Sequence, residues 1–515
     1  MKIPSTIIEL ATRSSATRAI LNITDEVPIA LLASEPPFAI PVDPGFNAVS
    51  LEFQYWPTYG GNATGQPNEY MSQLWANMGE RTGKTPPIRI GGTSENQAYV
   101  DTSLQLWNAS DLTYVYGPFT SATRGNTSIG RDWYALAGNL PAGTDVTFGV
   151  NLYEKSEVAK QSEMLAEAFQ GSRSLTKDIN LQFIQVGNEP NFYFDHAFDF
   201  VSHWTSLAHT LLKHIALGGK GEPTLWIGSE VQGVGFQLAG TLQAGILDDE
   251  EIASANFVLE EHQYSGAGEI GAVPGGPPPV ITELITWPKL VTMLRKVPPP
   301  SLPVYKWMIH VQANLLGNES EGIFGLSNTG EAAIWAVDYM LMGASMGVRR
   351  VYLHSTPNRM FSSFMPGWGF PNGTQIERPH IMPKYNGLLV VNEMIGRSGV
   401  ASVAEVETGN AQLAAYGAWE HGKLARMVLI NSNVAERNVT RSAMTVTLKG
   451  DHAAGRATAK RLSIPYTTAT QDITWAGQSF ETIDGAPSGD VVEEPIDGLS
   501  VTIAATEVVM LSFTD

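Results

Sequence analysis

From Val49 onward, short runs rich in β-branched and aromatic residues alternate with stretches in which apolar residues recur at helical spacing. The runs are 49–53 (VSLEF), 88–91 (IRIG), 147–152 (TFGVNL), 183–187 (FIQVG), 224–229 (TLWIGS), 257–264 (FVLEEHQY), 307–313 (WMIHVQA) and 351–355 (VYLHS). Helical patterns are clearest at 155–169, 196–216, 331–346 and, after the last run, 384–396. Within 196–216, Phe200, Trp204, Leu207, Leu211 and Ile215 fall at steps of three and four, on one face of a helix. Eight strands alternating with helices over about 350 residues predict an α/β chain, a (β/α)8 TIM barrel with insertions. A doubly wound open sheet is the rival, but the glycine fingerprint expected after its first strand is missing.

One Gly-x-Gly-x-x-Gly does occur, at Gly266, Gly268 and Gly271, but it runs into Val273-Pro274-Gly275-Gly276-Pro277-Pro278-Pro279 instead of opening a helix. It cannot cradle a phosphate at a helix N-terminus and reads as a loop. The Pro/Gly-rich stretch 265–303, with one short helical pattern near 284–296, is a long insertion after the sixth strand, where it would wall an active site. From about Ser402 the pattern becomes alternation broken by turn residues, at 412–416, 425–430, 444–448, 460–465 and 501–512, which predicts a β-sandwich. Two β-like runs near 20–24 and 38–42 have no helix to pair with and are expected to join that sandwich. The expected division is 1–45 for the N-terminal strands, 46–398 for the barrel and 399–515 for the C-terminal sandwich.

Composition narrows the function. With 32 Lys and Arg against 51 Asp and Glu, the net charge of −19 disfavours a nucleic-acid surface. No apolar run reaches the roughly 18 residues of a membrane span. Cysteine is absent, which removes disulfides, thiolate zinc sites and thiol catalysis. No His-Glu-x-x-His occurs, so no catalytic metal is implied, and no cofactor is expected. Only 16% of residues are charged, while 50 are Gly and 31 Pro, so the surface should be neutral polar and loop-rich. Asn-x-Ser/Thr acceptors begin at Asn22, Asn62, Asn108, Asn126, Asn318, Asn372 and Asn438. That density points to a secreted eukaryotic protein, its signal peptide not part of this sequence, since Met1-Lys2-Ile3-Pro4 has no apolar stretch behind it.

In a barrel of this kind reactive groups sit where strands end. The fourth strand ends in Val186-Gly187-Asn188-Glu189-Pro190, a carboxylate suited to general acid work; an ordinary solvated loop glutamate is the alternative. Retaining glycoside hydrolysis needs a second carboxylate about 5–5.5 Å away. The seventh strand is the natural source, but Trp307-Met308-Ile309-His310-Val311-Gln312-Ala313-Asn314 carries an amide there, with Glu319 and Glu321 further on. His310 and His354 fall inside strands and read as core residues or supports behind a site. Trp56, Trp107, Trp133 and Trp368 lie near strand mouths, where they either stack on sugar rings or pack.

Taken in order, Ser50-Leu51-Glu52-Phe53, Arg89-Ile90-Gly91-Gly92-Thr93, Gly187-Asn188-Glu189-Pro190, His262-Gln263-Tyr264, Gly325-Leu326-Ser327-Asn328-Thr329 and Ala333-Ile334-Trp335-Ala336-Val337-Asp338-Tyr339 span most of the chain. The set resembles glycoside hydrolase family 79, the β-glucuronidase and heparanase family, in its fungal branch. The resemblance implies Glu189 as acid/base and a nucleophile opening a Glu-x-Asn motif on strand seven. Gln312-Ala313-Asn314, fifteen residues before Ser327, fits that place, whereas Glu319 and Glu321 are too close to Ser327. Gln312 thus stands where the nucleophilic Glu belongs, most simply as a replacement made to inactivate the enzyme, with a natural non-catalytic protein as the alternative. The resemblance further implies that Asn188 holds the sugar 2-hydroxyl and that Glu52, Gly92 and Thr93 line the non-reducing end of the pocket. Glu52 could equally be a structural acid buried under the barrel mouth. His262 and Tyr264 fall on the substrate side, Tyr264 matching the tyrosine that holds the uronate carboxylate. The loop 317–325 lacks the family's Tyr-Gly-Gly run, which points to a different or substituted uronic acid.

The expected activity is a retaining exo-β-glucuronidase acting on terminal glucuronic acid, including its 4-O-methyl form, in plant polysaccharide or glycoconjugates. Its partner is a uronic-acid-containing oligosaccharide, with no protein partner inferred. Screening within about 8 Å lets a local site bind an anion despite the net charge. An inert carbohydrate-binding barrel and a same-clan glycosidase for a neutral sugar are the alternatives.

Overall fold

The computed structural model describes residues 22–109, 127–171, 176–231, 235–265, 309–315, 322, 324–367, 378–450, 456–496 and 500–514. Eight parallel strands close into a barrel: β1 Asn47–Glu52, β2 Ile88–Gly91, β3 Asp145–Val150, β4 Asn180–Val186, β5 Thr224–Val231, β6 Phe257–Ser265, β7 Ile309–Leu315 and β8 Arg350–Ser355. They follow one another around the ring in chain order, and β8 returns to pair with β1. Each of the eight runs read from the sequence overlaps one barrel strand, shifted by a few residues.

The helices outside the ring follow from the apolar spacing. Helix α1, Glu69–Thr82, starts at Asn68, whose side chain accepts a hydrogen bond from Met71 N. Helices α2, Lys155–Gln170, and α3, Ala197–Leu212, come after β3 and β4. Phe200, Trp204, Leu207 and Leu211 of α3 are buried as their spacing requires; Ile215 is also buried, though the helix has ended by then. Helices α4, Gly330–Ser345, and α5, Pro383–Ile395, are buried on nearly every face, because α4 packs against both α5 and strand Ser402–Glu405 of the second domain. A helix covered on two sides has no polar stripe to keep.

That second domain is a pair of sheets. Strands Ile40–Pro41, Ser402–Glu405, Leu413–Glu420, Lys423–Asn431, Glu507–Thr514, Arg456–Ser463 and Thr474–Trp475 run in that order across the larger one. The smaller one holds Asn22–Ala30, Ser442–Lys449 and Ser500–Ala504, with Asn22–Ala30 parallel to Ser442–Lys449. The run 501–512 read as one strand is two: at Thr506, φ 56°, the chain crosses from the small sheet to the large one. The Thr506 hydroxyl, bonded to Asn433 O at 2.9 Å and to Thr467 Oγ1 at 2.6 Å, holds the crossing.

Inside the barrel, Ala48, Phe183, Trp226, Val258 and Tyr352 form an apolar layer separate from the main core. Two residues further along the same strands stand Ser50, Gln185, Glu260 and His354, all buried. The interior therefore turns from apolar to polar toward the C-terminal ends of the strands, which is where a site can be built.

Candidate active site

The end of β4 is locked before any side chain is considered. Trp204 of α3 donates its Nε1 proton to Val186 O at 3.1 Å, and Gly187 N donates to Val150 O at 3.0 Å. Gly187 has φ 78°, and a Cβ there would lie 2.3 Å from Leu152 Cδ1, so only glycine makes this turn. Asn96 clasps the next peptide, its Oδ1 accepting from Asn188 N at 2.7 Å and its Nδ2 donating to Asn188 O at 2.8 Å. Glu189 follows at φ 51°, ψ 54°, a left-handed conformation that a side-chain-bearing residue adopts at a cost of about 1–2 kcal/mol.

The Asn188 side chain is aimed by Arg89, whose Nη2 donates to Asn188 Oδ1 at 2.7 Å. With its oxygen so engaged, the amide offers N–H donors outward. Arg89 also donates to Gln185 Oε1 at 2.7 Å and to Ser50 Oγ at 2.9 Å. Ser50 Oγ lies 2.9 Å from His354 Nδ1, and His354 Nε2 lies 3.1 Å from Glu52 Oε2. Burial pushes the His354 pKa down, against the pull of Glu52. A neutral His354 that accepts from Ser50 and donates to Glu52 satisfies all three groups.

Glu52 is buried and takes two further hydrogen bonds on Oε1, from Ser94 N at 2.9 Å and from the Ser94 hydroxyl. Gly92, φ 122°, passes so close that a Cβ would meet Glu52 Oε2 at 2.3 Å. Thr93 is partly exposed at the start of the short turn Thr93–Gln97. On the same turn Glu95 is fully buried; burial lifts its pKa to about 8, while Arg89 at 3.9 Å and the Gly92 amide pull the other way. It is therefore mostly protonated at neutral pH.

From β6, His262 reaches between two carboxylates: Nδ1 is 2.9 Å from Glu189 Oε1, and Nε2 is 3.2 Å from Glu260 Oε1. Burial alone would strip the ring of its second proton, but Glu260 and Glu189 together hold its pKa up at about 9. It is an imidazolium at neutral pH and donates from both nitrogens. Gln312 of β7 pairs in register with His262 on one side and Tyr352 on the other, and Tyr264 pairs with Asn314. The side chains of Gln312, Tyr264 and His310 lie outside the described residues, as do Trp368, Glu319 and most of the loop after β6.

The fold thus brings together Asn188, Glu189, His262, Glu52 and Gly92, with Gln312 at the adjacent register position. Trp56 and Trp133 are core, both fully buried, with Trp56 Nε1 donating to Trp133 O at 3.1 Å, so neither offers a face to a sugar. Glu260, Glu95, Ser94 and the role of His354 were not singled out from the sequence. The alternation Glu260, His262, Tyr264 along one strand was the available signal for the first of these. Among the described residues no group of three or more His, Asp or Glu is arranged to hold a metal ion. No helix among them is long and apolar enough to cross a membrane. A buried carboxylic acid at a barrel mouth, held by an imidazolium and flanked by an oriented amide, is equipped for proton transfer to a bound glycoside.

Residues 415–510 match the glycosyl hydrolase family 79 C-terminal β domain. A β-glucuronidase of Aspergillus niger is 26% identical over 492 residues, covering 87% of this chain and 85% of the relative. A β-glucuronidase of Neurospora crassa is 25% identical over 428 residues, covering 76% and 72%. Among solved structures, a 4-O-α-L-rhamnosyl-β-D-glucuronidase from Fusarium oxysporum in complex with Rha-GlcA superposes with a TM-score of 0.71 at 19% identity, covering 94% of this chain and all of that one. A family 51 α-L-arabinofuranosidase from Bifidobacterium longum gives 0.61 at 11% identity, covering 95% of this chain and all of its own. Barrel, sandwich and relatives together define a glycoside hydrolase. Its C-terminal β domain matches that of glycoside hydrolase family 79, and most of its length is similar to β-glucuronidases.

Proposed function

We propose that this glycoside hydrolase is a retaining, exo-acting β-glucuronidase that releases terminal β-glucuronic acid, bare or 4-O-substituted, from plant polysaccharide or glycoconjugates. The observation that carries the reading is the convergence of Asn188 and Glu189 on β4, His262 on β6 and the register position of Gln312 on β7. Glu189 protonates the glycosidic oxygen as the bond breaks and later takes a proton from the attacking water. Asn188 donates to the 2-hydroxyl, a bond that strengthens as the transition state develops. Position 312 belongs to the nucleophile. An amide there is nearly isosteric with the carboxylate but can neither capture the oxocarbenium-like centre nor leave as a carboxylate, so the chain with Gln312 binds substrate without turning it over. Thr93 and Tyr264 complete the pocket toward the non-reducing end and the uronate carboxylate. The names of the relatives support a glucuronide as substrate.

The test is to replace Gln312→Glu and assay aryl β-glucuronide beside aryl β-xyloside and β-galactoside. Activity gained on the glucuronide alone is expected. Gain on a neutral glycoside instead would move the substrate assignment, and no gain anywhere would favour the second reading, a carbohydrate-binding barrel to which Gln312 is native. Loss of that restored activity on Glu189→Gln, with rescue by azide, is the matching test of the acid/base.

We also propose that the protein is secreted and glycosylated. Three acceptor asparagines fall on described, exposed positions: Asn62, Asn108 and Asn438. Expression in a fungal host should give a mass that drops on treatment with an endoglycosidase, and an unchanged mass would sink the idea.

A further inference from the structure

Glu189 Oε1 is held by His262, and His262 is in turn committed to a second acid. His262 and Glu260 are both wholly buried, Glu189 nearly so, and the three lie in sequence across the polar layer of the barrel. Glu260 makes its hydrogen bond to His262 through Oε1, while its Oε2 is buried with no hydrogen-bond partner among the described residues. A carboxylate buried with so little support costs several kcal/mol unless a cation answers it, and the imidazolium is the cation that the geometry supplies. The fold does not need an acid at this position, since the layer below it is filled by Val258 and its apolar neighbours.

We propose that Glu260 is a positioning residue for the Glu189 acid/base: by holding His262 as a two-way donor, it pins Glu189 Oε1 and so fixes the carboxyl group that gives and retrieves the proton. This rests on the reading of Glu189 given above. In the first step the carboxyl proton of Glu189 passes to the glycosidic oxygen as its bond to the anomeric carbon breaks. In the second, with Glu at position 312, Glu189 takes a proton from the water that attacks that carbon as the bond between the carbon and the position-312 carboxylate breaks, and the two ring protons of His262 stay in place throughout. The raised pKa of His262, about 9, agrees with this arrangement.

Other charges face the pair. Glu230 of β5 and Glu261 of β6 act on His262 from the side, and Glu95 stands toward Glu260. Arg89 is spent on Ser50, Gln185 and Asn188, and His354 on Glu52. His310 is the register neighbour of Glu260 on β7. Burial keeps Glu95 largely neutral below pH 8 and holds Glu230 at about 7, so neither is a fixed negative charge near neutrality.

The first experiment uses the chain as it stands, with ¹⁵N-labelled histidine. His262, assigned by its disappearance in His262→Gln, should show two protonated nitrogens through pH 8. It should remain so in Glu189→Gln and become neutral by pH 7 in Glu260→Gln. A His262 that is neutral at pH 7 in the unaltered chain overturns the proposal, as does one that stays charged without Glu260 or loses its charge in Glu189→Gln. If Glu260→Gln fails to fold, the other two spectra still decide.

The second experiment places Glu260→Gln in the Gln312→Glu enzyme and follows aryl β-glucuronide hydrolysis against pH. Losing the cation beside Glu189 leaves that acid protonated to higher pH, so the alkaline limb should move up by about one unit. The fall should be in kcat, up to about 100-fold, with KM little changed. A uniform loss with an unmoved limb would show Glu260 to be merely structural. If Gln312→Glu gains no activity, the glucuronidase reading falls, while the histidine spectra still judge Glu260.

Discussion

Gly92 shows how narrow the tolerances at the barrel mouth are. Its φ of 122° is strained for any side chain, and a methyl group would press on Glu52 Oε2 at 2.3 Å, displacing the acid from Ser94 and His354. Gly92→Ala should cost about 1–3 kcal/mol in denaturant unfolding and weaken glucuronide binding as well. Lys384 makes a different test. It is buried with its ammonium on Phe361 O, and burial lowers its pKa to about 7. The unfolded chain keeps that proton up to the ordinary lysine range, so between pH 7 and about 10.5 it binds more protons than the folded one, and stability gains with rising pH. Thermal melts of the unaltered protein and of Lys384→Met should show the former gaining on the latter from pH 7 to 10; parallel curves would refute it. At this scale the sequence is legible where spacing is local. Asn188 and Glu189 announce themselves beside a strand-ending proline, and His262 falls at the end of strand six. Glu260, Glu95 and Ser94 do not, because their partners are set by register and tilt around a closed sheet, which adjacent residues do not encode.

The elements were legible wherever one face alone is buried. Helix α3 shows its apolar stripe openly, and its Trp204 turns that stripe into a brace for the end of β4. Boundaries were less so: α3 stops at Leu212 although Ile215 continues the spacing, and the break at Thr506 lies between two apolar runs that read as one. Asn68 joins a cap to a tertiary tie. Its Oδ1 accepts from Met71 N, while Nδ2 donates to Thr58 O at 2.8 Å and to Pro366 O at 3.0 Å. Asn68→Ala should lose about 2–4 kcal/mol, a cap plus two stranded carbonyls. Asn68→Asp keeps the cap and loses the donors, so its unfolding midpoint should fall between those of the parent and the alanine variant. Equal loss in both would mean the cap contributes nothing.

Across the whole molecule, barrel and sandwich are fastened through α4. The free N–H groups of Gly330 and Glu331 at its start are met by Ala469 O at 2.7 Å and Thr467 O at 3.0 Å, and further along Tyr416 donates to Asp338 Oδ1 at 2.8 Å. Tyr416→Phe leaves a buried acceptor unanswered and should cost about 1–3 kcal/mol, read as a lowered Tm with both sheets melting together. The second domain's strands were plain in the sequence, but which sheet each would join was not, since partners range from neighbours such as Glu420 and Lys423 to pairs as distant as Asn22 and Ser442. That separation also governs how the protein is made. Strand Asn22–Ala30 leaves the ribosome early, yet Ser442–Lys449, beside which it finally lies, is translated some 400 residues later. At ordinary elongation rates the wait is roughly 20–80 s. Throughout it, the segment must stay out of wrong pairings with whatever sheet is already complete, and Asp25, Glu26 and Pro28 in its middle are residues of the kind that keep an unpaired edge from being captured.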